Sequence, residues 1–181
     1  AHLGIERLAE EACGQYRPDC WQPALDTARV AARLAGAAGD WSSAENIWLQ
    51  LEECAIEHGS PDPKLQQQVL FELGMLLTRR GEHDSATEYY LLCETLARAD
   101  NDTSRLAAIR IQLGGALLEM KQSEEALRCF QIADGYLKEG APDRTLAVDI
   151  ALGSALAQAQ MGGLDKALSH LDHALEIAGP A

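Results

Sequence analysis

Aromatic residues are scarce in this sequence: they make up 5% of its 181 residues, although 47% of the chain is hydrophobic. Alanine and leucine supply most of the apolar content, which suits close packing between helices. Segments that alternate β-branched or aromatic residues with polar ones, the usual signal of a strand, are absent. The composition therefore predicts an all-α fold.

Basic residues are also few. The chain carries 15 lysines and arginines against 28 aspartates and glutamates, which gives a formal net charge of −13. A nucleic-acid interface needs clustered positive charge, so we expect no nucleic acid among the partners. The acidity instead predicts a solvated outer face or a preference for basic partners.

The sequence has no Cys-x-x-Cys pair, no signal peptide and no apolar run long enough to span a bilayer. Its five cysteines are scattered, and most lie on apolar helical stripes, where a free cysteine behaves as a small hydrophobic residue. This usage favours a reducing compartment. We therefore expect a cytoplasmic protein without a membrane partner.

An internal repeat is the main feature of the sequence. Four alanines, spaced by 42, 40 and 41 residues, are each followed four residues later by a large side chain. The alanines are Ala44, Ala86, Ala126 and Ala167, and the large residues are Trp48, Tyr90, Phe130 and Leu171. Residues four apart share one face of a helix. The spacing therefore predicts four helices that use the same packing face.

The sequence predicts another helix before each of the last three of these helices. This first helix of the pair also has a repeated pattern. A Leu-Gly pair lies near the middle of this first helix, at Leu73-Gly74, Leu113-Gly114 and Leu152-Gly153. Glycine inside a helix costs about 1 kcal/mol relative to alanine. Its recurrence at one position therefore predicts the close approach of a neighbouring helix.

These helix pairs form a single predicted array. We interpret residues 1–18 as the second helix of a preceding repeat, followed by full repeats at 22–59, 62–100, 103–140 and 142–179. Because the array begins within a repeat and ends without a polar capping helix, we expect it to be part of a longer protein. In the first full repeat, Ser42 and Glu45 have the spacing of a capping box.

The pattern resembles the tetratricopeptide repeat. The residues that carry the resemblance best are Leu113, Gly114, Leu117, Ala126, Phe130 and Ala133. The opening tryptophan and the late proline of that family are missing, and the period is longer than the usual ~34 residues. The chain is similar in period to the longer repeats of kinesin light chains, polarity adaptors and some bacterial regulators. HEAT-like repeats have a comparable length and are the alternative.

The resemblance implies a right-handed α-solenoid of antiparallel helix pairs, that is, a tetratricopeptide-like superhelix. In such a fold the first helices line a concave groove that binds protein partners. The residues expected to face that groove are Arg29, Arg33, Phe71, Glu72, Met75, Arg79, Ile111, Gln112, Leu118, Ile150 and Ser154. Two interpretations of their apolar members stay open. They either contact an amphipathic helix or peptide, or they form ordinary core between the helices.

Chemical motifs point away from an enzyme. Gly114-Gly115 and Gly162-Gly163 lack the lysine and hydroxyl residue of a phosphate-binding loop. His170 and His173 share a helix face and could hold a divalent metal, but no third ligand stands at a matching distance in the sequence. We therefore expect no catalytic residue, no metal and no cofactor.

Three functional hypotheses follow. The first is a non-enzymatic protein–protein interaction module, part of a larger scaffold or adaptor, that binds a partner helix or peptide in its groove. The second is the sensor segment of a larger signalling or transcription regulator. The third is end-to-end self-association, because uncapped ends of a repeat array expose apolar helix faces.

Overall fold

The computed structural model describes residues 2–17, 20–58, 62–140 and 142–179, and within these ranges the chain forms nine α-helices and no strand. The prediction of an all-α fold is confirmed. The helices are α1 (His2–Gln15), α2 (Gln22–Ala37), α3 (Trp41–Glu57), α4 (Pro63–Arg80), α5 (His83–Ala99), α6 (Thr103–Glu119), α7 (Ser123–Glu139), α8 (Arg144–Gln160) and α9 (Leu164–Ala178). Among these described helices, none is long and apolar enough to cross a membrane.

The chain divides into two compact units, Ala1–Glu82 and His83–Ala181. In the first unit, α1 packs on α2 and α3, and α3 also packs on α4. In the second unit, α6 pairs with α7 and α8 pairs with α9, while α5 packs on α6. The repeat limits stay a prediction, and those at residues 1, 18 and 59 lie outside the described ranges.

Aspartate caps the start of three helices at equivalent places in the repeat. The Asp62 carboxylate accepts a hydrogen bond from the Lys64 amide of α4 at 2.8 Å. Asp102 does the same for α6 and Asp143 for α8. A capping side chain of this type stabilises a helix by about 1 kcal/mol, so short polar connectors are enough to fix where these helices begin.

The predicted capping box at Ser42 and Glu45 is wrong. The N-cap of α3 is Asp40, whose carboxylate accepts hydrogen bonds from the Ser43 amide at 3.1 Å and the Ser43 hydroxyl at 2.8 Å. Glu45 instead accepts a hydrogen bond from Arg80 Nη1 of α4 at 2.9 Å. A carboxylate two residues upstream therefore takes the capping role, and Glu45 is left to pair with another helix.

A large ring and two glycines organise the core of the second unit. The Phe130 side chain of α7 is 2% exposed. A Cβ atom built on Gly114 of α6 would lie 2.7 Å from that ring, and one on Gly153 of α8 would lie 2.4 Å from it. The prediction that repeated glycines mark the close approach of a neighbouring helix is confirmed at these two positions.

The sequence interpretation expected free cysteine thiols, and the structure differs at two of the cysteines. Cys13 of α1 and Cys54 of α3 form a disulfide, with their Cα atoms 5.9 Å apart and a sequence separation of 41 residues. The error arose because sequence position does not reveal that two successive second helices lie side by side at these residues. A cross-link that closes a loop of this length typically stabilises a fold by about 2–4 kcal/mol.

The glycine contacts predict opposite effects of two alanine substitutions. Gly115→Ala meets no atom within 4 Å, so it should stabilise the second unit by up to about 1 kcal/mol through helix propensity. Gly153→Ala should destabilise it, because overpacking against the buried ring costs about 1–3 kcal/mol. Urea unfolding followed by circular dichroism measures both. Combining Gly153→Ala with Phe130→Leu should recover part of the loss, whereas stabilisation by Gly153→Ala alone would contradict the packing.

The environments of the cysteines predict how many of them react with a thiol reagent in the folded chain, in the unfolded chain, and in the unfolded and reduced chain. Cys20 is exposed, whereas Cys93 and Cys129 are buried. Burial raises the pKa of the Cys93 thiol to about 11 and raises that of Cys129, so at about pH 8 both stay protonated and unreactive. A maleimide should therefore label one cysteine in the folded chain, three after unfolding, and five after unfolding with reduction. Five labels without a reductant would exclude the Cys13–Cys54 disulfide.

Candidate functional site

Helices α2 and α4, the first helices of the first two predicted repeats, bring five of the predicted groove residues around one depression. We call it the arginine pocket. Its rim is formed by Arg29, Arg33, Glu72, Met75 and Arg79. Its floor is formed by Ala32, Trp48 and Leu76, all of which are buried. All of these residues belong to the first unit.

One ion pair fixes the shape of the pocket. Arg29 Nε donates a hydrogen bond to Glu72 Oε1 at 2.8 Å, and Gln68 Nε2 donates to the same oxygen at 3.2 Å. Arg29 also contacts Asp26 at 3.1 Å. The Glu72 side chain is only 10% exposed, and hydrogen bonds to a buried carboxylate hold both partners in place. The charge of Arg29 is thus matched within the protein.

The other two arginines of the pocket are different. Arg33 and Arg79 are exposed, and among the described residues neither has an ion-pair or hydrogen-bond partner. The guanidinium group suits planar, bidentate recognition of a carboxylate. In a chain with a net charge of −13, these two guanidinium groups lie beside an apolar floor without a matching anion among the described residues.

The pocket is too small for a metabolite. Its cavity volume is about 20 Å³, roughly the space of one water molecule, whereas pockets for small ligands usually measure about 300 Å³ or more.

The structure places the remaining predicted site residues elsewhere. Phe71 is 9% exposed, and Ile111, Leu118, Ile150 and Ser154 are all buried as well; Gln112 is half-buried. Ile111, Leu118 and Ile150 belong to the hydrophobic cluster that contains Phe130. Their burial agrees with the second interpretation, core between the helices. A partner-binding role for these residues stays a prediction, and the proposal below does not use them.

A second buried carboxylate lies in the second unit. Glu94 of α5 accepts hydrogen bonds from Arg110 of α6 at 2.7–2.9 Å and from Arg98 at 2.8 Å. Arg110 thereby joins α6 to the buried carboxylate of α5.

His170 and His173, which the sequence analysis weighed as metal ligands and set aside, lie on α9. His173 Nδ1 lies 3.8 Å from Glu176 Oε2 on the same exposed helix face. Across the described ranges, no three His, Cys, Asp or Glu side chains cluster closely enough to hold a metal ion.

Sequence reasoning missed two features of the surface. It treated Trp48 only as a packing residue, although this side chain also forms the floor of the arginine pocket. It also treated Leu171 as the buried counterpart of Phe130, but Leu171 is 40% exposed. The signal for the second feature was present, because leucines recur at 164, 168, 171 and 175 with the four–three–four spacing of a helix seam.

Comparison with known proteins supports the repeat. The model of the tetratricopeptide repeat family matches residues 67–100. The fold is similar to the crystal structure of BtubC (BKLC) from P. vanneervenii, with a TM-score of 0.58 and 19% sequence identity over 97% of this chain and 89% of that chain. No curated protein matches the chain significantly. The chain is a tetratricopeptide-like repeat protein with an all-α solenoid fold, and such repeats are generally non-enzymatic protein–protein interaction modules.

Proposed function

We propose that this tetratricopeptide-like chain binds a partner helix or peptide at the arginine pocket, and that it acts as a scaffold or adaptor rather than as an enzyme. The observation that carries the proposal is the pair of exposed, unmatched guanidinium groups of Arg33 and Arg79 beside the apolar floor. They carry positive charge in a chain whose formal net charge is −13.

The two parts of the pocket have separate roles in this proposal. Met75, which is half-buried, and the edge of the floor offer apolar contact to a partner side chain. Arg33 and Arg79 then receive a neighbouring Asp or Glu of the partner. The Arg29–Glu72 pair lines the same pocket and is already satisfied, so binding requires no rearrangement of a buried charge.

A sensor segment of a larger regulator is the second candidate function. A peptide ligand would fit the arginine pocket, whereas a small-molecule effector would need a larger cavity than this one. A cytoplasmic location also stays a prediction. The Cys13–Cys54 disulfide weighs against it, because structural disulfides are rare in reducing compartments.

The proposal predicts a charge-dependent binding site. Helical peptides selected from a random library on the intact chain should be enriched in Asp or Glu next to an apolar residue. Each selected peptide should bind the Arg33→Glu/Arg79→Glu variant at least about tenfold more weakly, a loss of about 1.4 kcal/mol. Calorimetry with synthetic peptides measures the affinities.

Arg7→Glu is the matched control, since Arg7 is an exposed arginine on α1, outside the arginine pocket. Arg7→Glu makes the net charge of the chain more negative, as each of the two pocket substitutions does. It should bind the peptides as the wild-type chain does. Equal affinity of the selected peptides for the wild-type chain and the Arg33→Glu/Arg79→Glu variant would overturn the proposed site. Selection of peptides without acidic residues would also contradict it.

A further inference from the structure

The Cys13–Cys54 disulfide joins two helices that the chain itself connects only through α2. Cys13 lies on α1 and Cys54 on α3, and these two helices also pack against each other. The sequence separation of the pair, 41 residues, matches the spacing of 40 to 42 residues between the repeated alanines. The two cysteines therefore occupy the same repeat position on successive second helices, where these helices meet.

The later repeats have ordinary apolar side chains at this position. Cys54 is the tenth residue after Ala44, and the tenth residues after the other repeated alanines are Leu96, Tyr136 and Ile177. All three are half-buried, and Tyr136 packs against the hydrophobic cluster of the second unit. A cysteine side chain is smaller and buries less apolar surface than these do. The contact between α1 and α3 thus has a covalent bond where the later repeats have apolar packing.

The noncovalent contacts that hold α1 are small as well. Among the described side chains of α1 and the residue that follows it, the buried apolar ones are Ala9, Ala12 and Tyr16. The buried Tyr16 hydroxyl has no hydrogen-bond partner among the described residues, which costs free energy. The Gln15 side chain accepts a hydrogen bond from the Thr27 hydroxyl of α2 at 2.7 Å. Loss of the disulfide should therefore loosen α1 more than the rest of the unit.

Solvent can reach the disulfide. Cys13 is half-buried and Cys54 is 6% exposed, and both line an open depression with a volume of about 290 Å³. A small thiol can enter a space of this size and approach the Cys13 sulfur. Exposed disulfides are commonly the labile and regulatory ones, whereas purely structural disulfides resist reduction.

We propose that the Cys13–Cys54 pair is a redox lock: a dithiol reductant opens it in the folded chain, and its oxidation state decides whether α1 stays packed on α3. A thiolate of the reductant attacks Cys13 Sγ, the more accessible sulfur, and forms a mixed disulfide. Cys54 leaves as a thiolate and takes up a proton. The second thiol of the reductant then displaces Cys13. Two electrons and two protons pass to the protein, and the reductant becomes a disulfide.

The redox lock is independent of the arginine pocket, because no residue that lines the pocket belongs to α1. It also gives the disulfide a role in either kind of compartment. Disulfides of reducing compartments are usually transient and redox-sensing, and there the lock would be open for most of the time. Under oxidising conditions it would close and hold α1 on α3.

Hydrogen exchange measured by mass spectrometry tests the proposal on the intact chain. Dithiothreitol without denaturant should reduce the disulfide, so that a maleimide added after later unfolding labels five cysteines instead of three. Reduction should raise the exchange rate of the α1 amides at least about tenfold, because the bond no longer opposes local opening. Exchange in α6 and α7, which belong to the second unit, should not change. Oxidised glutathione should then restore slow exchange in α1.

Two variants separate the redox lock from other effects of the reductant. Cys13→Ser/Cys54→Ser removes the bond, so its α1 should exchange rapidly without reductant, and dithiothreitol should have no further effect. Cys20→Ser is the matched control, because Cys20 is exposed and lies outside the pair. This variant should respond to dithiothreitol as the wild-type chain does.

Three results would overturn the proposal. The first is a disulfide that dithiothreitol reduces only in denaturant, since this would make it purely structural. The second is complete reduction without faster exchange in α1. The third is an equal rise in exchange across α1, α2, α3 and α4, which would show that the whole first unit unfolds and that no single helix is released.

Discussion

The packing of one aromatic ring against two glycines sets the arrangement of the second unit. Phe130 fills the space that the missing side chains of Gly114 and Gly153 leave open. Because a buried ring and a helix backbone are both rigid, this contact fixes how closely α8 approaches α6 and α7. The positions of Ile150 and Ala157 in the same cluster follow from it. A helix seated in this way presents its own far side to the next layer, so the same kind of face appears again on α8 and α9.

The repeated packing also determines which side chains stay accessible. Every helix commits one stripe to its neighbours, and the remaining stripes form the surface. In the first unit, this surface includes the arginine pocket, where Glu72 satisfies Arg29, while Arg33 and Arg79 have no matching anion among the described residues. In the second unit, it includes exposed leucines on α8 and α9, such as Leu164, Leu168 and Leu175.

Much of the architecture could be predicted from the sequence, because it depends on periodic residues. The recurring alanines and the Leu-Gly pairs gave the helices, their packing faces and the close contact at Gly114 and Gly153. Whether a single residue lies on the core side or the surface side of its helix was harder to predict. Each residue turns a helix by about 100°, so an error of one position exchanges core for surface, and Ile111, Leu118 and Ile150 lie in the core. The Cys13–Cys54 disulfide and the cap at Asp40 depend on distances between chain segments, and a linear pattern does not contain such distances.

Methyl NMR offers the most direct test of the central claim, that the arginine pocket binds an acidic helix or peptide. An acidic peptide selected on the intact chain would be titrated into that chain with labelled methionine and leucine methyl groups. Signals of Met75 and Leu76, which line the pocket, should shift progressively, while those of Leu91 and Leu92 on α5, which are exposed outside it, should stay in place. Shifts at Leu91 and Leu92 without shifts at Met75 and Leu76 would contradict the claim, as would shifts of similar size at every methyl group.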